Sequence, residues 1–359
     1  MRALAAFFQG WGGLGRFWGL MLALLAAGAG TLAALGPPTP RVAKPPLAHP
    51  VAAVAPAPPT REPVVIRPMA PSARVLADRP GRDTPGPIVD PDPALLEPVP
   101  GSTREFLPRI AADGRKPMRL YAAAFDTTST RPRIGLLLAG IGLSFADSKK
   151  AIVDMPGEVT LAISPYAVNP EALLSSARVT GHEYLISIPM EPLGFPLNDP
   201  GPAALMTTLS PQQNLPRLRQ ALSRVQGYVG AASVLGAMRG ERLTDLPEQM
   251  APVLAELEQR GLLYVGPPTQ PGPVPNVWSR TVELVIDEPA TAAEIDAKLA
   301  ALEILARDRG AVLGMATAPR PMTVERILAW TNGLANRGLA LAPVSALAVP
   351  PFVEKEPSR

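Results

Sequence analysis

The chain has 359 residues, 46 of them proline, with no cysteine, two histidines and a formal net charge of +3. Without cysteine there is no disulfide framework, no thiolate zinc ligand and no thiol nucleophile. Residues 37–120 hold 12 Lys/Arg against 8 Asp/Glu, whereas residues 131–348 hold 18 against 20, so the folded part offers no basic face for nucleic acid.

Residues 17–35 read FWGLMLALLAAGAGTLAAL, 19 residues without a charge, preceded by Arg2 and Arg16. At ~1.5 Å per residue such a helix spans ~28 Å, close to the ~30 Å hydrocarbon core of a bilayer. Residues 1–36 are therefore expected to form a single-pass transmembrane anchor in a bacterial inner membrane, with the bulk of the chain in the periplasm. Small residues at Ala27-Gly28-Ala29 leave open a cleaved signal sequence and secretion. Between 37 and 117 lie 21 prolines, and stretches such as PPTPRVAKPPLAHP and VAPAPPT do not build a core. Residues 37–130 are expected to be a disordered Pro/Ala-rich linker that spaces a domain from the membrane.

The pattern changes at Arg131. In EQRGLLYVG (258–266), RDRGAVLGMA (307–316) and ANRGLALAPV (335–344) a helical pattern ends in Arg-Gly and an apolar strand follows at once. Glycine accepts the left-handed conformation that ends a helix, and arginine suits the negative end of its dipole. Ser210-Pro211-Gln212-Gln213, Thr291 with Glu294, and Asp245 with Glu248 carry the pattern of helix starts. Strands are predicted at 133–139, 158–163, 183–188, 228–234, 262–265, 281–286, 311–316 and 339–343, with helices between most of them. This alternation of helices and continuous apolar strands indicates an α/β fold whose parallel sheet is covered on both faces. Seven or eight units over 131–348 predict a closed or nearly closed (β/α) barrel, with 349–359 a tail; a doubly wound sheet has the same periodicity.

In a (β/α) barrel, chemistry sits where strands run out into the following loops. Ala139-Gly140, Ser233–Gly236, Val265–Pro268 and Met315–Ala318 bring no acid, histidine, lysine or arginine to those tips. Gly140-Ile141-Gly142 lacks the third glycine of a dinucleotide loop, Phe145 standing there, and no Gly-Lys-Ser/Thr follows. The domain's one histidine, His182, opens its strand at the opposite end of the barrel and reads as structural. A Ser-His-Asp triad is poorly supported as well, since that histidine is misplaced and no Gly-x-Ser-x-Gly elbow exists. The polar side chains left near the mouth are Tyr166, Glu191, Asn198, Asp199 and Asp287, with Glu288 beside the last. They are candidate glycan contacts, although Asn198-Asp199-Pro200-Gly201 is also a turn sequence. No catalytic residue, metal ligand or cofactor is assigned.

RPRIGLLLAGIG (131–142), PGEVTLAISPYA (156–167), GHEYLISIPMEP (181–192), the run 198–230 with its NDPGP and GYVG segments, and APVLAELEQRGLLYVG (251–266) together resemble the divergent polysaccharide deacetylase family. The likeness covers about 131–348 in the right order. It implies a distorted (β/α) barrel of the carbohydrate-esterase type and, in better-equipped members, polar residues suited to a divalent metal and a hydrolytic water. This chain departs from that pattern at its tips. Ala139 and Gly140 stand where relatives show paired Asp, Val234 and Ser187 where His is common, Gly266 where Asp is expected, and Thr317 or its neighbour in place of a late His. The expectation is a membrane-anchored, carbohydrate-related barrel without catalytic residues that binds cell-wall glycan or holds an envelope protein. The alternative is an active carbohydrate deacetylase with an unrecognised site.

Overall fold

The computed structural model describes residues 18–19, 21–26, 78–82, 86–270 and 272–351. The chain divides into two compact units, Met1–Ile66 and Arg67–Arg359. In the first, residues 18–19 and 21–26 are helical and exposed. The rest of the expected anchor, the Ala27-Gly28-Ala29 cleavage position and the linker up to residue 77 lie outside the described residues. Among the described residues no helix is long and apolar enough to cross a membrane.

The second unit opens with β1 (Leu96–Pro98) and β2 (Phe106–Pro108), an antiparallel pair, and a short helix α1 (Pro117–Leu120). Then come β3 (Arg133–Ile141), α2 (Phe145–Asp154), β4 (Thr160–Ile163), α3 (Pro170–Thr180) and β5 (Tyr184–Ser187). After a long loop follow α4 (Pro211–Leu222), β6 (Gly230–Ala232), α5 (Glu241–Thr244), α6 (Pro247–Gln259) and β7 (Leu263–Gly266). The chain continues through β8 (Ser279–Thr281), β9 (Leu284–Val285), α7 (Ala292–Arg309) and β10 (Ala311–Ala316). It ends with α8 (Pro321–Thr331), β11 (Ala340–Leu341) and α9 (Val344–Leu347).

The strands from β3 onward are paired in parallel in the order β8-β7-β6-β5-β4-β3-β10-β9, with β11 beside the first residues of β3. Only Val282 and Glu283 separate β8 from β9. The Val282 amide donates to Gly266 of β7, and the Glu283 amide to Leu313 of β10. The sheet thus curls until its two ends meet in one stretch of chain, which fits the expected distorted barrel. The strand expected at 281–286 is two short pieces because its hydrogen bonds change neighbour at that step.

Side chains alternate between two cores. Leu136, Leu138, Leu161, Ile163 and Ile186 pack under the helices. Leu137, Ala139, Ala162, Leu185, Val265 and Met315 fill the interior. Helix ends follow the sequence pattern in most places: Ser210 and Gln213 form a full capping box, and Thr291 caps α7. Asp245 does not cap α6. It ends α5 instead, and α6 starts after Leu246 with Pro247 at its first position and no side-chain cap.

The expected linker requires correction at its C-terminal end. Ile88, Leu95, Met118 and Tyr121 are buried in the same cluster as the barrel interior. Arg260 donates to Pro108 O at 2.8 Å and pairs with Glu97 at 3.1 Å, while Arg178 pairs with Asp90 at 3.0 Å. The prolines are tolerated because Pro93 and Pro117 open helical turns, where no amide donor is required. The folded unit therefore begins well before Arg131.

Candidate functional site at the barrel mouth

Three strand ends converge on one carbonyl. Gly140, in β3, has φ +73° and Gly236, after β6, has φ +60°. A Cβ on Gly140 would lie 2.9 Å from Thr317 O, and one on Gly236 would lie 3.5 Å from the same oxygen. Leu143 Cδ1 would lie 3.6 Å from either. Left-handed backbone and close approach both call for glycine here. The backbones of Gly140, Gly236 and Thr317 thus crowd together at the mouth, with the exposed side chain of Leu143 beside them.

The buried carboxylates nearby are fully engaged. Asp287, 1 % exposed, follows β9 and accepts from the Thr317 amide at 2.8 Å, the Thr317 hydroxyl at 3.0 Å and Arg320 at 3.0 Å. Glu191, 2 % exposed, follows β5 and accepts from the Thr207 amide at 2.6 Å and its hydroxyl at 2.7 Å; Arg242 pairs with it at 3.0 Å. Between these clusters Arg239 bridges Glu241 at 3.0 Å and Glu288 at 2.7 Å. These bonds tie the loops after β5, β6, β9 and β10 together in series.

The other expected glycan contacts serve the loop after β5. The Tyr166 hydroxyl donates to Pro200 O at 3.0 Å and accepts from the Ala203 amide at 3.3 Å, and burial raises its pKa. Asp199 accepts from the Gly201 amide at 2.8 Å, and the Asn198 amide donates to Gly194 O at 2.9 Å. Asn198 and Asp199 are therefore turn residues, and Tyr166 pins that turn. The five expected residues fall into three contact clusters rather than one. Sequence reasoning missed Arg239, Arg242 and Arg320, because it searched the strand tips and these arginines stand several residues beyond them.

The donors do not fit a hydrolytic metal. Among the described residues no group of three His, Cys, Asp or Glu could hold an ion, whereas such a site draws several ligands to one open cavity. Asp287 already faces a guanidinium, which competes with any cation. His182 is buried at the start of β5, its ring nitrogens 2.7 Å from Val159 O and 3.0 Å from Ile152 O. Burial holds its pKa below the usual imidazole value, although both carbonyls act in the opposite direction. Ser187, at the end of β5, is wholly buried and has a hydroxyl with no hydrogen-bond partner among the described residues.

A parallel (β/α) barrel with its candidate site at the strand carboxyl ends defines the class. The family model described as "Divergent polysaccharide deacetylase" matches residues 136–348, and the chain belongs to this family. Among solved structures it is similar to an uncharacterized protein from Agrobacterium tumefaciens C58. That match has 30% identity and a TM-score of 0.62 and covers 68% of this chain and 99% of the other. It also matches the catalytic domain of a peptidoglycan N-acetylglucosamine deacetylase from Eubacterium rectale ATCC 33656, at 10% identity and a TM-score of 0.36, covering 62% and 93%. No curated protein matches the chain.

Proposed function

We propose that this chain is a non-catalytic member of its family, acting in carbohydrate metabolism at the bacterial envelope by binding or scaffolding rather than by hydrolysis. The observation that carries this reading is the closed mouth. Thr317 O, Gly140 and Gly236 crowd together at the strand ends with Leu143 beside them, no metal-ligating side chain stands among them, and the buried carboxylates are matched by arginines. The uncharged run 17–35 supports a tether in the inner membrane, with the barrel on the periplasmic side.

The test is acetate release by the full chain from N-acetylated chitooligosaccharides and peptidoglycan fragments, with zinc, cobalt or magnesium supplied. Release at the level of the protein-free blank is expected. Metal-dependent release that disappears in Asp287→Ala would establish the alternative, a working deacetylase built around Asp287. Placement is read separately by protease accessibility of the barrel in intact spheroplasts: digestion from outside is expected, and protection would refute a periplasmic domain.

A further inference from the structure

A groove runs between α7 and α8 in the outer layer of helices. Two polar rungs cross it. Asp296 accepts from Arg326 Nε at 2.7 Å and from its Nη2 at 2.6 Å, and Glu303 accepts from the Trp330 indole N–H at 2.8 Å. Seven residues separate Asp296 from Glu303, so the rungs stand ~10 Å apart along α7. Between them lie buried Leu299 and the exposed Ala300 and Ala329, alanines too short to fill the space. The result is an open cavity of about 230 Å³. Trp330 is held in place within it. Glu303 also accepts from Arg337 Nε at 2.9 Å, and Arg337 Nη2 donates to Trp330 O at 2.7 Å. An aromatic side chain already immobilised loses little further freedom when a ligand binds.

The chemistry of the groove selects its ligand. Each charge that lines it is matched from within the protein: Asp296 by Arg326, and Glu303 by Arg337, with Arg307 at 3.8 Å. A charged ligand finds no unmatched partner there and has to break one of these pairs. Hydrogen-bonding capacity remains nonetheless. Arg326 spends Nε and Nη2 on Asp296 and keeps Nη1, while each Asp296 oxygen accepts one bond and has a second lone pair. Both side chains reach solvent, Asp296 at 44% and Arg326 at 31% exposure. An indole and apolar helix surface beside such donors and acceptors suit a molecule with a C–H face and a hydroxyl edge. A sugar ring has both. The volume falls below the ~300–1,000 Å³ usual for drug-sized ligands, so the groove takes one ring of a longer chain.

We propose that this groove is a binding subsite for one neutral hexose unit of a glycan, with the ring's C–H face against Trp330 and its hydroxyls on Asp296 and Arg326. The proposal deepens the binding reading and rests on it, giving that binding a place outside the mouth. It is measured without any assay of acetate, so a failed groove and a working hydrolase are told apart.

The full chain in neutral-lipid nanodiscs is titrated by calorimetry with N-acetylated chitotetraose, cellotetraose and maltotetraose, each at low and high salt. Saturable binding of at least one is expected, unchanged by salt because no charge is exchanged. Trp330→Ala should weaken it about tenfold or more. Ala300→Leu combined with Ala329→Leu should do the same by filling the groove, with good helix formers at exposed positions where folding is not at risk. Leu197→Asp, at the mouth, should leave binding unchanged. No saturable binding of any of the three overturns the proposal, as does binding that survives the two leucines. Loss of binding in Leu197→Asp places the glycan at the mouth and overturns it too. Tighter binding of deacetylated, cationic chitotetraose would show ion exchange on the carboxylates and has the same force.

Discussion

At the amino end of the barrel, Glu183 is fully buried and accepts from the amides of Ala123 and Ser345 at 2.9 Å, the Ser345 hydroxyl at 2.6 Å and the Thr160 hydroxyl at 3.0 Å. At the carboxyl end, Asp287 and Glu191 are almost as buried, but each is held by an arginine that reaches solvent. Among the described residues no cation pairs with Glu183, and burial raises its pKa against the pull of its four donors. It joins three distant stretches, the N-terminal segment, β4 and α9, into a cap over the interior. The mouth carboxylates instead hold loops together while guanidinium groups stay at the surface. One end is built to be closed and inert; the other is closed at its centre but presents a surface.

The largest expected effect breaks the amino-end cap. A chain starting at Arg131 loses Ile88, Leu95, Met118 and Tyr121 from the core together with the Ala123 bond to Glu183. Each large buried side chain is worth about 2–4 kcal/mol, so the truncated domain should show no cooperative thermal transition by circular dichroism. A transition within a few degrees of the parent's would return residues 88–123 to linker status. Next in size, Glu183→Ala strands four buried donors and should destabilise by ~3–5 kcal/mol in urea titration. Asp287→Ala should destabilise by only ~1–3 kcal/mol, since the half-exposed Arg320 turns to water. Equal losses at the two ends would erase the distinction drawn between them.

Smaller still is Gly140→Ala, expected to lower stability by ~1–3 kcal/mol through left-handed strain and the clash with Thr317 O. Gly310→Ala at φ +78° has nothing within 4 Å of its Cβ and isolates the strain alone, so the difference between the two reports the closed mouth. The last effect is one of pH. The folded-state pKa of His182 is lowered, so its contribution is complete above the unfolded imidazole value near 6.5 and is lost as pH falls toward the folded value. Urea midpoints should fall from pH 7.5 to 5.5, with a shallower slope in His182→Asn. An unchanged slope would show that another group titrates in that window.

The β/α alternation was legible because its signals are local. Apolar runs and the Ser210 capping box act within a few residues, and the structure places strands and helices where those signals stand. The N-terminal segment was illegible because proline content speaks against a core only when the prolines interrupt hydrogen-bonded positions, and Pro93 and Pro117 instead begin turns. The lack of acids and histidines at the tips Ala139-Gly140, Ser233–Gly236, Val265–Pro268 and Met315–Ala318 was readable from residue identity. The closure of the mouth was not, since Gly140 and Gly236 look like ordinary turn glycines until Thr317 O is placed beside them. Arg242 and Arg320 were overlooked because ion pairs between loops of separate units leave no periodic trace.

The central claim, that the mouth has no place for a metal and its water, is tested most directly by zinc titration of the full chain at neutral pH, followed by calorimetry, in parent and Asp287→Ala proteins. The account predicts the same weak, unsaturated heats in both. A one-to-one site in the parent that vanishes in the variant would contradict it.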